Sequence, residues 1–311
     1  MAKYRDALPQ LSGRLFLTDG GLETTLVFLD GIDLPHFASI ALMRSADGID
    51  SLRRYYRAYA KLAIDQGAGF VLESPCWRAN RDWAAKLGYT EAELLDLNRK
   101  SIELMSEVRD EFETAQCPFV ISGNIGPRGD GYSPGAMMSA DEAAGYHSWQ
   151  IGAYAETDAD LVTALTMNYP NEAVGVALAA KSRRIPSVIS FTVETDGRLP
   201  SGESLGEAID IVDAATDSAP EYYMVNCAHT THFGGVLDET QGWMKRIRGL
   251  RANSSMKSHA ELDESTELDE GNPVEFGREH RELTDRFPHI NVLGGCCGTD
   301  IRHIEAICTA L

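Results

Sequence analysis

The sequence of 311 residues is poor in positive charge. It contains 28 Lys and Arg against 47 Asp and Glu, which gives a net charge of −19 at neutral pH. The phosphates of a nucleic acid would repel a protein this acidic unless it carried a strong basic patch. The densest basic clusters, residues 181–184 and 245–248, lie where helices are predicted to end, and the helix dipole favours cations there. We therefore expect no nucleic-acid partner.

A membrane-spanning segment and a secretory signal are also missing from the pattern. No stretch approaches the roughly 18 uninterrupted apolar residues that a spanning helix needs. The first residues (MAKYRD) lack the apolar core and the small-residue cleavage site of a signal peptide. These features predict a soluble, cytoplasmic protein with no membrane partner.

The chain lacks a Gly/Ser linker, an internal repeat and a low-complexity tract. Hydrophobic residues make up 43% and charged residues 24%, which is typical of a globular protein and excludes general disorder. We predict one domain over residues 1–311. The one break in composition is residues 260–271 (AELDESTELDEG), which hold six carboxylates and no cation. This segment is either a solvated acidic loop inserted after the seventh strand, or a lid or subunit contact.

Short apolar, β-branched segments alternate with longer helical patterns. These segments are apolar at nearly every position, as in strands that are buried on both faces of a parallel sheet. A weaker eighth segment spans residues 250–256. The other predicted strands are residues 14–18, 69–72, 119–122, 160–165, 187–193, 222–225 and 290–293.

Helical spacing and capping signals appear between these strands. Residues 50–66 repeat apolar side chains on one helix face, and Thr90 begins a capping box with Glu93. The predicted caps of later helices are Asn171, Ser204 or Gly206, and Asp300. Eight alternations of strand and helix predict a closed (β/α)8 barrel rather than a doubly wound sheet.

Cysteine is scarce, with six in the chain, but three of the six follow predicted strands. Cys227 follows the sixth strand, and Cys296 and Cys297 follow the eighth. The carboxyl ends of all barrel strands meet at one mouth, so these thiols are expected to converge. Zinc takes four ligands in tetrahedral geometry, and a catalytic zinc keeps one position open. Three sulfurs at one mouth therefore predict a catalytic zinc site.

The glycines of residues 294–298 (GGCCG) favour the same interpretation. Residues without a Cβ allow the positive φ and the close backbone approach that two successive thiols need to reach one ion. The alternative for Cys296 and Cys297 is a chance vicinal pair or a redox disulfide. His229 and His232 form a competing ligand set, but it would leave the adjacent cysteines without a role. His229 stays a candidate behind the metal ligands or facing the substrate.

Asp19, Gly20 and Gly21 follow the first predicted strand. A carboxylate and two backbone amides at the barrel mouth are suited to hold the ammonium and the carboxylate of a substrate. The alternative is a tight strand-to-helix turn in which Asp19 caps the helix.

Four motifs, in this order, resemble the homocysteine S-methyltransferase family, which includes betaine-dependent and S-methylmethionine-dependent enzymes. The motifs are residues 17–24 (LTDGGLET), 122–127 (SGNIGP), 225–227 (VNC) and 294–299 (GGCCGT). The resemblance covers nearly the whole chain, and the joint presence of the last two motifs is specific. It implies a (β/α)8 barrel with zinc on Cys227, Cys296 and Cys297.

The resemblance also implies methyl transfer from a sulfonium or quaternary ammonium donor to a small thiol, by default homocysteine, which gives methionine. A free thiol has a pKa of about 8.5, and the thiolate is the nucleophile. Zinc coordination deprotonates the incoming thiol, so no general base is needed. Aromatic faces favour a methylated cation, and Trp77 and Tyr132 are candidates for that contact.

The sequence departs from the family in two places. Leu165 stands where the family usually has a glutamate that holds the amino group of the substrate, and a leucine cannot accept from an ammonium. Glu73, Asp19 or Glu194 takes over this contact, or the acceptor is a thiol or selenol without that amine. After the second strand, residues 73–78 (ESPCWR) replace a motif rich in Thr and Ser, and Arg78 either pairs with a carboxylate or lies at the surface. The candidate substrate-binding residues are Asp19, Gly20, Gly21, Glu73 and Asn226.

Two other functions stay open from the sequence. The chain would act as a thiol-binding zinc module if a separate protein supplied the methyl group. Zinc-dependent hydrolysis is the third possibility, because an open zinc position also activates water. Sulfur-rich ligation and the lack of a carboxylate beside the cysteine motifs disfavour hydrolysis. The partners expected are a small thiol and a methyl donor, and the pattern favours no oligomeric state.

Overall fold

The computed structural model describes residues 2–265 and 267–311. In these residues, eight parallel strands follow one another around a closed barrel, and the last pairs with the first. The predicted (β/α)8 barrel is confirmed. The strands are β1 (Phe16–Leu17), β2 (Gly69–Glu73), β3 (Phe119–Ile125), β4 (Leu161–Met167), β5 (Ser187–Phe191), β6 (Tyr222–Asn226), β7 (Ile247–Ala252) and β8 (Val292–Gly295).

Helices connect the strands and pack around the barrel. The α-helices are α1 (Leu22–Thr24), α2 (Ala46–Asp65), α3 (Arg81–Leu87), α4 (Glu91–Phe112), α5 (Ala140–Ala155), α6 (Pro170–Arg183), α7 (Leu205–Thr216), α8 (Thr230–Phe233), α9 (His259–Asp263), α10 (Pro273–Arg286) and α11 (Ile301–Ala310). The 3-10 helices are Pro9–Ser12, Pro35–Phe37, Ser39–Arg44 and Gly242–Arg246, and Thr25–Leu29 is a π-helix. Within the two described ranges, no helix has both the length and the apolar character to cross a membrane.

The seventh strand shows the largest difference between its predicted and observed bounds. It was predicted over residues 250–256, and β7 spans Ile247–Ala252. Two arginines, Arg248 and Arg251, interrupt the apolar run, so the pattern placed the strand too late. Arg251 is nevertheless buried, with 5% of its surface exposed.

Most of the predicted helix starts are confirmed. The caps that the structure confirms are Thr90, Ser204 and Asp300. Asn171 is not a cap, because Pro170 is the first residue of α6 and Asn171 lies inside the first turn. Proline suits this first position because the amide that it lacks has no partner inside the helix.

The two basic clusters occupy different positions. Lys181 and Arg183 lie in the last turn of α6, as predicted. Residues 245–248 do not end an α-helix: they cross from a 3-10 helix into β7. There Arg246 Nε lies 2.8 Å from Asp213 Oδ2. Both clusters therefore have structural positions on the outside of the barrel.

Strand alternation divides the apolar side chains into two cores. The larger core lies between the strands and the helices, and includes Phe70, Ile121 and Ile189. The smaller core fills the amino-terminal end of the barrel interior. Its members are Leu8, Phe16, Val71, Val120, Leu161, Val188, Tyr222, Met224 and Val292. The carboxyl-terminal end of the same interior is left for polar side chains and a cavity.

Candidate metal centre and substrate cavity

The strand ends bring the three predicted cysteines together. Cys227 directly follows β6, and Cys296 and Cys297 directly follow β8. Their sulfur atoms all lie within 4.8 Å of one another. Sγ of Cys227 is 3.9 Å from Sγ of Cys297. The predicted convergence of these thiols at the barrel mouth is therefore present in the structure.

Two of the three cysteines are placed as a disulfide pair in this structure. Cys227 and Cys296 form a disulfide, and Cys297 is a free thiol. The bond joins two strand ends, so it is not the bond between adjacent cysteines that the sequence suggested as an alternative. A metal needs thiolate ligands, so only the reduced form of this pair can bind one.

The glycines of the second cysteine motif have separate roles. A Cβ on Gly294 would overlap the side chain of Thr18, and one on Gly295 would overlap that of Thr299. Gly298 has a φ of +79°, which an L-residue with a Cβ rarely adopts. Close approach at the first two positions and positive φ at the third let the chain turn directly after β8.

Asn226 holds the backbone behind the cysteines. Its Oδ1 accepts hydrogen bonds from Ser190 Oγ at 2.6 Å and from the backbone N–H of Thr166 at 2.9 Å. Its Nδ2 donates to Thr166 Oγ1 at 2.8 Å. Thr166 and Cys227 have φ values of +62° and +53°, which are uncommon for residues other than glycine. Asn226 lines the cavity, but its amide is engaged in maintaining this geometry.

A cavity of about 370 Å³ opens beside the cysteines at the barrel mouth. This volume is in the range of small-molecule sites. All of the predicted substrate-binding residues line it, namely Asp19, Gly20, Gly21, Glu73 and Asn226. Other lining residues that the sequence singled out are Trp77, Arg78, Tyr132 and Leu165. The cavity therefore unites the predicted metal site and the predicted substrate residues.

The motif after β1 is largely occupied by the protein itself. Asp19 Oδ1 lies 2.7 Å from Arg251 Nη2, and Asp19 Oδ2 accepts a hydrogen bond from Tyr55 at 3.0 Å. Burial raises the pKa of Asp19, while Arg251 and Tyr55 lower it. The backbone N–H of Gly21 donates to the carbonyl oxygen of Thr299 at 3.1 Å. Both the Asp19 carboxylate and the Gly21 amide are therefore already paired with groups of the protein.

Glu73 is in a different state. It lies at the end of β2 and is 3% exposed. Burial raises the pKa of Glu73 to about 7, against the lowering effects of Arg251 and the hydroxyl groups of Ser122 and Thr163. Glu73 is therefore a cavity carboxyl group whose charge changes near neutral pH.

Aromatic side chains form the outer wall of the cavity. The hydroxyl of Tyr132 is 3.4 Å from Cys297 Sγ, and its ring stacks on His259 with centroids 4.0 Å apart. Trp77 donates from Nε1 to the carbonyl oxygen of Leu165 at 3.4 Å. The guanidinium of Arg78 lies over the rings of Trp77 and Trp83. Both predicted aromatic candidates thus face the space beside the cysteines.

Two candidates from the sequence lie away from this cavity. His229 Nδ1 is 2.9 Å from Thr231 Oγ1, and its Nε2 is 3.6 Å from a carboxylate oxygen of Glu279. Glu194 Oε1 lies 3.1 Å from His259 Nδ1. His229 and Glu194 thus face other protein groups rather than the substrate space.

The acidic segment 260–271 contributes to the cavity wall. Its members that line the cavity are Leu262, Asp263, Ser265, Glu267, Leu268 and Asp269. Ser255 Oγ donates to Asp269 Oδ2 at 2.7 Å, which ties the segment to the loop after β7. Thr266 lies outside the described residues. These contacts favour the interpretation as a cover over the cavity rather than a purely solvated loop.

Sequence reasoning missed Arg251, Asn124 and Thr166, which all line the cavity. A signal for the first two was present in the strand periodicity. Every second residue of a barrel strand faces inward. Asn124 is four positions after the inward Val120, and Arg251 stands between the outward Leu250 and Ala252, so both positions are expected to face the interior. Thr166 carries no such signal, because its positive φ depends on Asn226 from another strand.

The structure thus combines a (β/α)8 barrel with three converging cysteines, which could hold a metal ion, beside a cavity at the barrel mouth. The family model for homocysteine S-methyltransferase matches residues 16–311. The chain belongs to this family and is a methyltransferase of that class.

Individual relatives agree with this assignment. Homocysteine S-methyltransferase 1 of Zea mays is 25% identical over 95% of this chain and 94% of its own length. Selenocysteine Se-methyltransferase of Brassica oleracea var. italica is 24% identical over 95% of this chain and 88% of its own. The metallated form of the homocysteine methyltransferase MmuM from Escherichia coli superposes with a TM-score of 0.77 at 18% identity, covering 98% of this chain and 99% of that one. The last comparison shows that the two chains share a fold.

Proposed function

We propose that this methyltransferase is zinc-dependent and transfers a methyl group to a small thiol, with homocysteine as the default acceptor and methionine as the product. The donor is a sulfonium or a quaternary ammonium compound. The convergence of Cys227, Cys296 and Cys297 at the edge of the cavity carries this proposal. The family assignment supports the reaction class.

The three cysteines, when reduced, form a ligand set that fits zinc. Three cysteine thiolates match the sulfur-rich sites that this metal prefers, and three protein ligands are typical of a catalytic rather than a structural zinc. Burial raises the pKa of the Cys297 thiol, with a smaller opposing effect of Tyr132. A cation is therefore needed to hold this sulfur as a thiolate at neutral pH. When bound, zinc would lower the pKa of the acceptor thiol.

The residues of the chain then have to orient two substrates. The acceptor sulfur forms a bond to the methyl carbon, and the donor bond breaks with its electron pair leaving on the donor sulfur or nitrogen. The thiol proton leaves before this step, when the thiolate forms. Trp77 and Tyr132 line the cavity with aromatic rings that suit a cationic donor, and the acidic segment forms part of the same wall.

A selenol acceptor is the second candidate. The relative from Brassica oleracea is a selenocysteine Se-methyltransferase by name, and a selenol differs from a thiol only in having selenium in place of sulfur.

We propose the cytoplasm as the compartment, because a reducing environment keeps Cys227 and Cys296 as free thiols that can bind a metal. The alternative is that methyl transfer depends on a separate methyl-donor protein, and the experiment below distinguishes the two.

The test incubates reduced, zinc-loaded protein with homocysteine, selenocysteine and cysteine, each with S-methylmethionine or betaine, and identifies methylated products by mass. The expected result is methionine formation that stops after chelation of the metal and returns with added zinc. A chelated sample restored with magnesium is the control. Zinc binding without turnover on any free donor would replace the proposal by the partner-dependent module, and activity that survives chelation would end the zinc assignment.

A further inference from the structure

The floor of the cavity contains buried polar atoms without protein partners. Within the described residues, Glu73 Oε2 and Asn124 Oδ1 accept no hydrogen bond, and Arg251 Nε and Nη1 donate none. The three side chains are 3%, 8% and 5% exposed, and all line the cavity. A buried polar group without a partner is costly, so groups of this kind indicate a place where a ligand completes the hydrogen bonding.

The two free acceptors lie on neighbouring strands. Glu73 ends β2 and is in register with Ser122 of β3, and Asn124 lies two residues further along β3. Residues two apart on a strand point to the same face, so Glu73 and Asn124 both point into the barrel. A buried carboxylate oxygen and a buried amide oxygen on neighbouring strands, both on the inner face of the barrel, suit an ammonium group that donates to both.

The free donors come from β7, which β8 and β1 separate from β2. Arg251 uses Nη2 for Asp19, at 2.7 Å, and for the carbonyl oxygen of Gly20, at 3.3 Å. This pairing fixes the guanidinium and leaves Nε and Nη1 for another group. Nε and Nη1 lie on different edges of the guanidinium, with Nη2 held by Asp19 and Gly20. A ligand carboxylate therefore accepts a hydrogen bond from one of the two free N–H groups.

We propose that this floor binds the amino-acid end of the acceptor, with its carboxylate on Arg251 and its ammonium on Glu73 and Asn124. The inference rests on the proposed function, because it takes the acceptor to be a thiol or selenol with an α-amino acid end. It assigns to Glu73 the contact that Leu165 cannot make. Asp19 and Glu194 do not replace that glutamate, since each is already paired with a side chain of the protein.

Charge is balanced in the resulting complex. Asp19 neutralises Arg251 in the free protein, and the ligand brings one negative and one positive group together. The ammonium then pairs with Glu73 in its ionised form. An acceptor without an amine would leave Glu73 Oε2 and Asn124 Oδ1 buried and unpaired, so the floor discriminates against it.

The test uses ligands without a thiol, so that binding does not depend on the metal centre. L-methionine is compared with 4-(methylthio)butanoate, which lacks the amine, and 3-(methylthio)propylamine, which lacks the carboxylate. Calorimetry on wild-type protein is expected to show L-methionine binding at least about tenfold more tightly than either analogue. Equal binding of L-methionine and 4-(methylthio)butanoate would overturn the proposal without any variant.

Single substitutions test which residue holds the ammonium and which holds the carboxylate of the ligand. Glu73→Gln is expected to weaken L-methionine at least about tenfold and to leave 4-(methylthio)butanoate unchanged. Arg251→Lys keeps a charge opposite Asp19 but loses the free N–H groups of the guanidinium, and is expected to weaken L-methionine while leaving 3-(methylthio)propylamine unchanged. Glu194→Gln is the matched control and is expected to keep the wild-type preference for the amine. Thermal unfolding confirms that each variant is folded.

A rescue experiment excludes a merely structural effect of Glu73. The double variant Glu73→Gln with Leu165→Glu returns a carboxylate at the position usual for the family and is expected to recover the preference for the amine. A Glu73→Gln protein that still prefers L-methionine over 4-(methylthio)butanoate by the wild-type ratio would overturn the proposal. If ligand selection behaves as expected but no thiol is methylated, the proposed function fails and this assignment stands.

Discussion

The two ends of the barrel interior differ sharply although the same strands build both. At the amino-terminal end, Val71, Val120, Leu161, Val188 and Met224 pack in a dry apolar plug. Two residues further along the same strands, the inward positions are Glu73, Ser122, Thr163, Ser190 and Asn226, all buried and all polar. A step of two residues is about 6.6 Å along a strand, so the change from plug to polar floor is abrupt.

This difference separates stability from function within one barrel. The plug holds apolar groups in contact with one another, which stabilises the fold without any ligand. The floor buries charged and polar groups, some of which have no partner, and that arrangement costs free energy until a substrate binds. Substitutions in the two layers are therefore expected to have opposite signs in stability and different consequences for activity.

The largest expected effect is at the metal centre above the floor. Cys297→Ser removes one of the three proposed sulfur ligands without changing Cys227 or Cys296. The loss of a residue that only supports a ligand costs about 10–100-fold in metal affinity, so the loss of a ligand is expected to exceed about 100-fold, with methyl transfer lost in parallel. Zinc content and competition with a chelator measure the change.

Cys308→Ser is the matched control for this substitution, because Cys308 lies on α11 outside the cavity. It is expected to keep the zinc affinity of the wild type. One zinc per chain at unchanged affinity in Cys297→Ser would remove this cysteine from the ligand set.

In the plug, Leu161→Ala is expected to lower the free energy of unfolding by about 2–5 kcal/mol, because it leaves a void in a fully buried cluster. Chemical denaturation measures the loss. Leu29→Ala makes the same change at a side chain that is 48% exposed, and is expected to change stability by less than about 0.5 kcal/mol. Similar losses in the two variants would contradict the assignment of Leu161 to a tightly packed apolar plug.

In the floor, Glu73→Gln is expected to stabilise the free protein at high pH. The native pKa of Glu73 is about 7 and its ordinary value is 4.5. Between these values the native state binds more protons than the unfolded state, so the free energy of unfolding falls as pH rises through this window. The glutamine of the variant cannot ionise, so the free energy of unfolding of the variant does not fall in this window. The variant is expected to be more stable than the wild type by about 2–3 kcal/mol at pH 8, with little difference at pH 4.

Denaturation of both proteins between pH 4 and 8 tests this sign. The contribution of Asp19 is present in both proteins, so their difference isolates Glu73. A variant that is less stable than the wild type at pH 8 would show that the ionised carboxylate is satisfied by the protein itself.

The smallest expected effect is at Tyr132. Tyr132→Phe keeps the stack on His259 and removes the hydroxyl that lies 3.4 Å from Cys297 Sγ. One neutral hydrogen bond contributes about 1 kcal/mol, so zinc affinity is expected to fall by less than about tenfold. Tyr223→Phe is the control, because that hydroxyl donates to Asp213 on α7. A drop of more than about 100-fold in Tyr132→Phe would make its oxygen a ligand rather than a supporting group.

Much of the fold was predictable because its signals are local. Strands β2, β3, β5 and β6 were placed within a few residues of their observed ends, since each is a continuous apolar run between turn signals. β7 was placed late because Arg251 has the sequence character of a surface residue. Only the closure of the barrel explains how a charged side chain is accommodated there.

The site was predictable in part for the same reason. Cys227, Cys296 and Cys297 follow strands, and the carboxyl ends of barrel strands share one mouth, so topology alone brings them near each other. The state of each acidic group was not predictable. Asp19, Glu73 and Glu194 are equal candidates in the sequence. In the structure, Asp19 pairs with Arg251 of β7 and Glu194 with His259 of α9, whereas Glu73 faces the cavity.

The amino-acid sequence by itself determined the barrel, the placement of three thiols at its mouth and the class of reaction, because strand periodicity and short motifs act over neighbouring residues. The tertiary structure alone decided which carboxylate is paired and which is open. Pairing depends on side chains that approach from strands far apart in the chain, and burial among them sets the pKa of Glu73 and the free donors of Arg251.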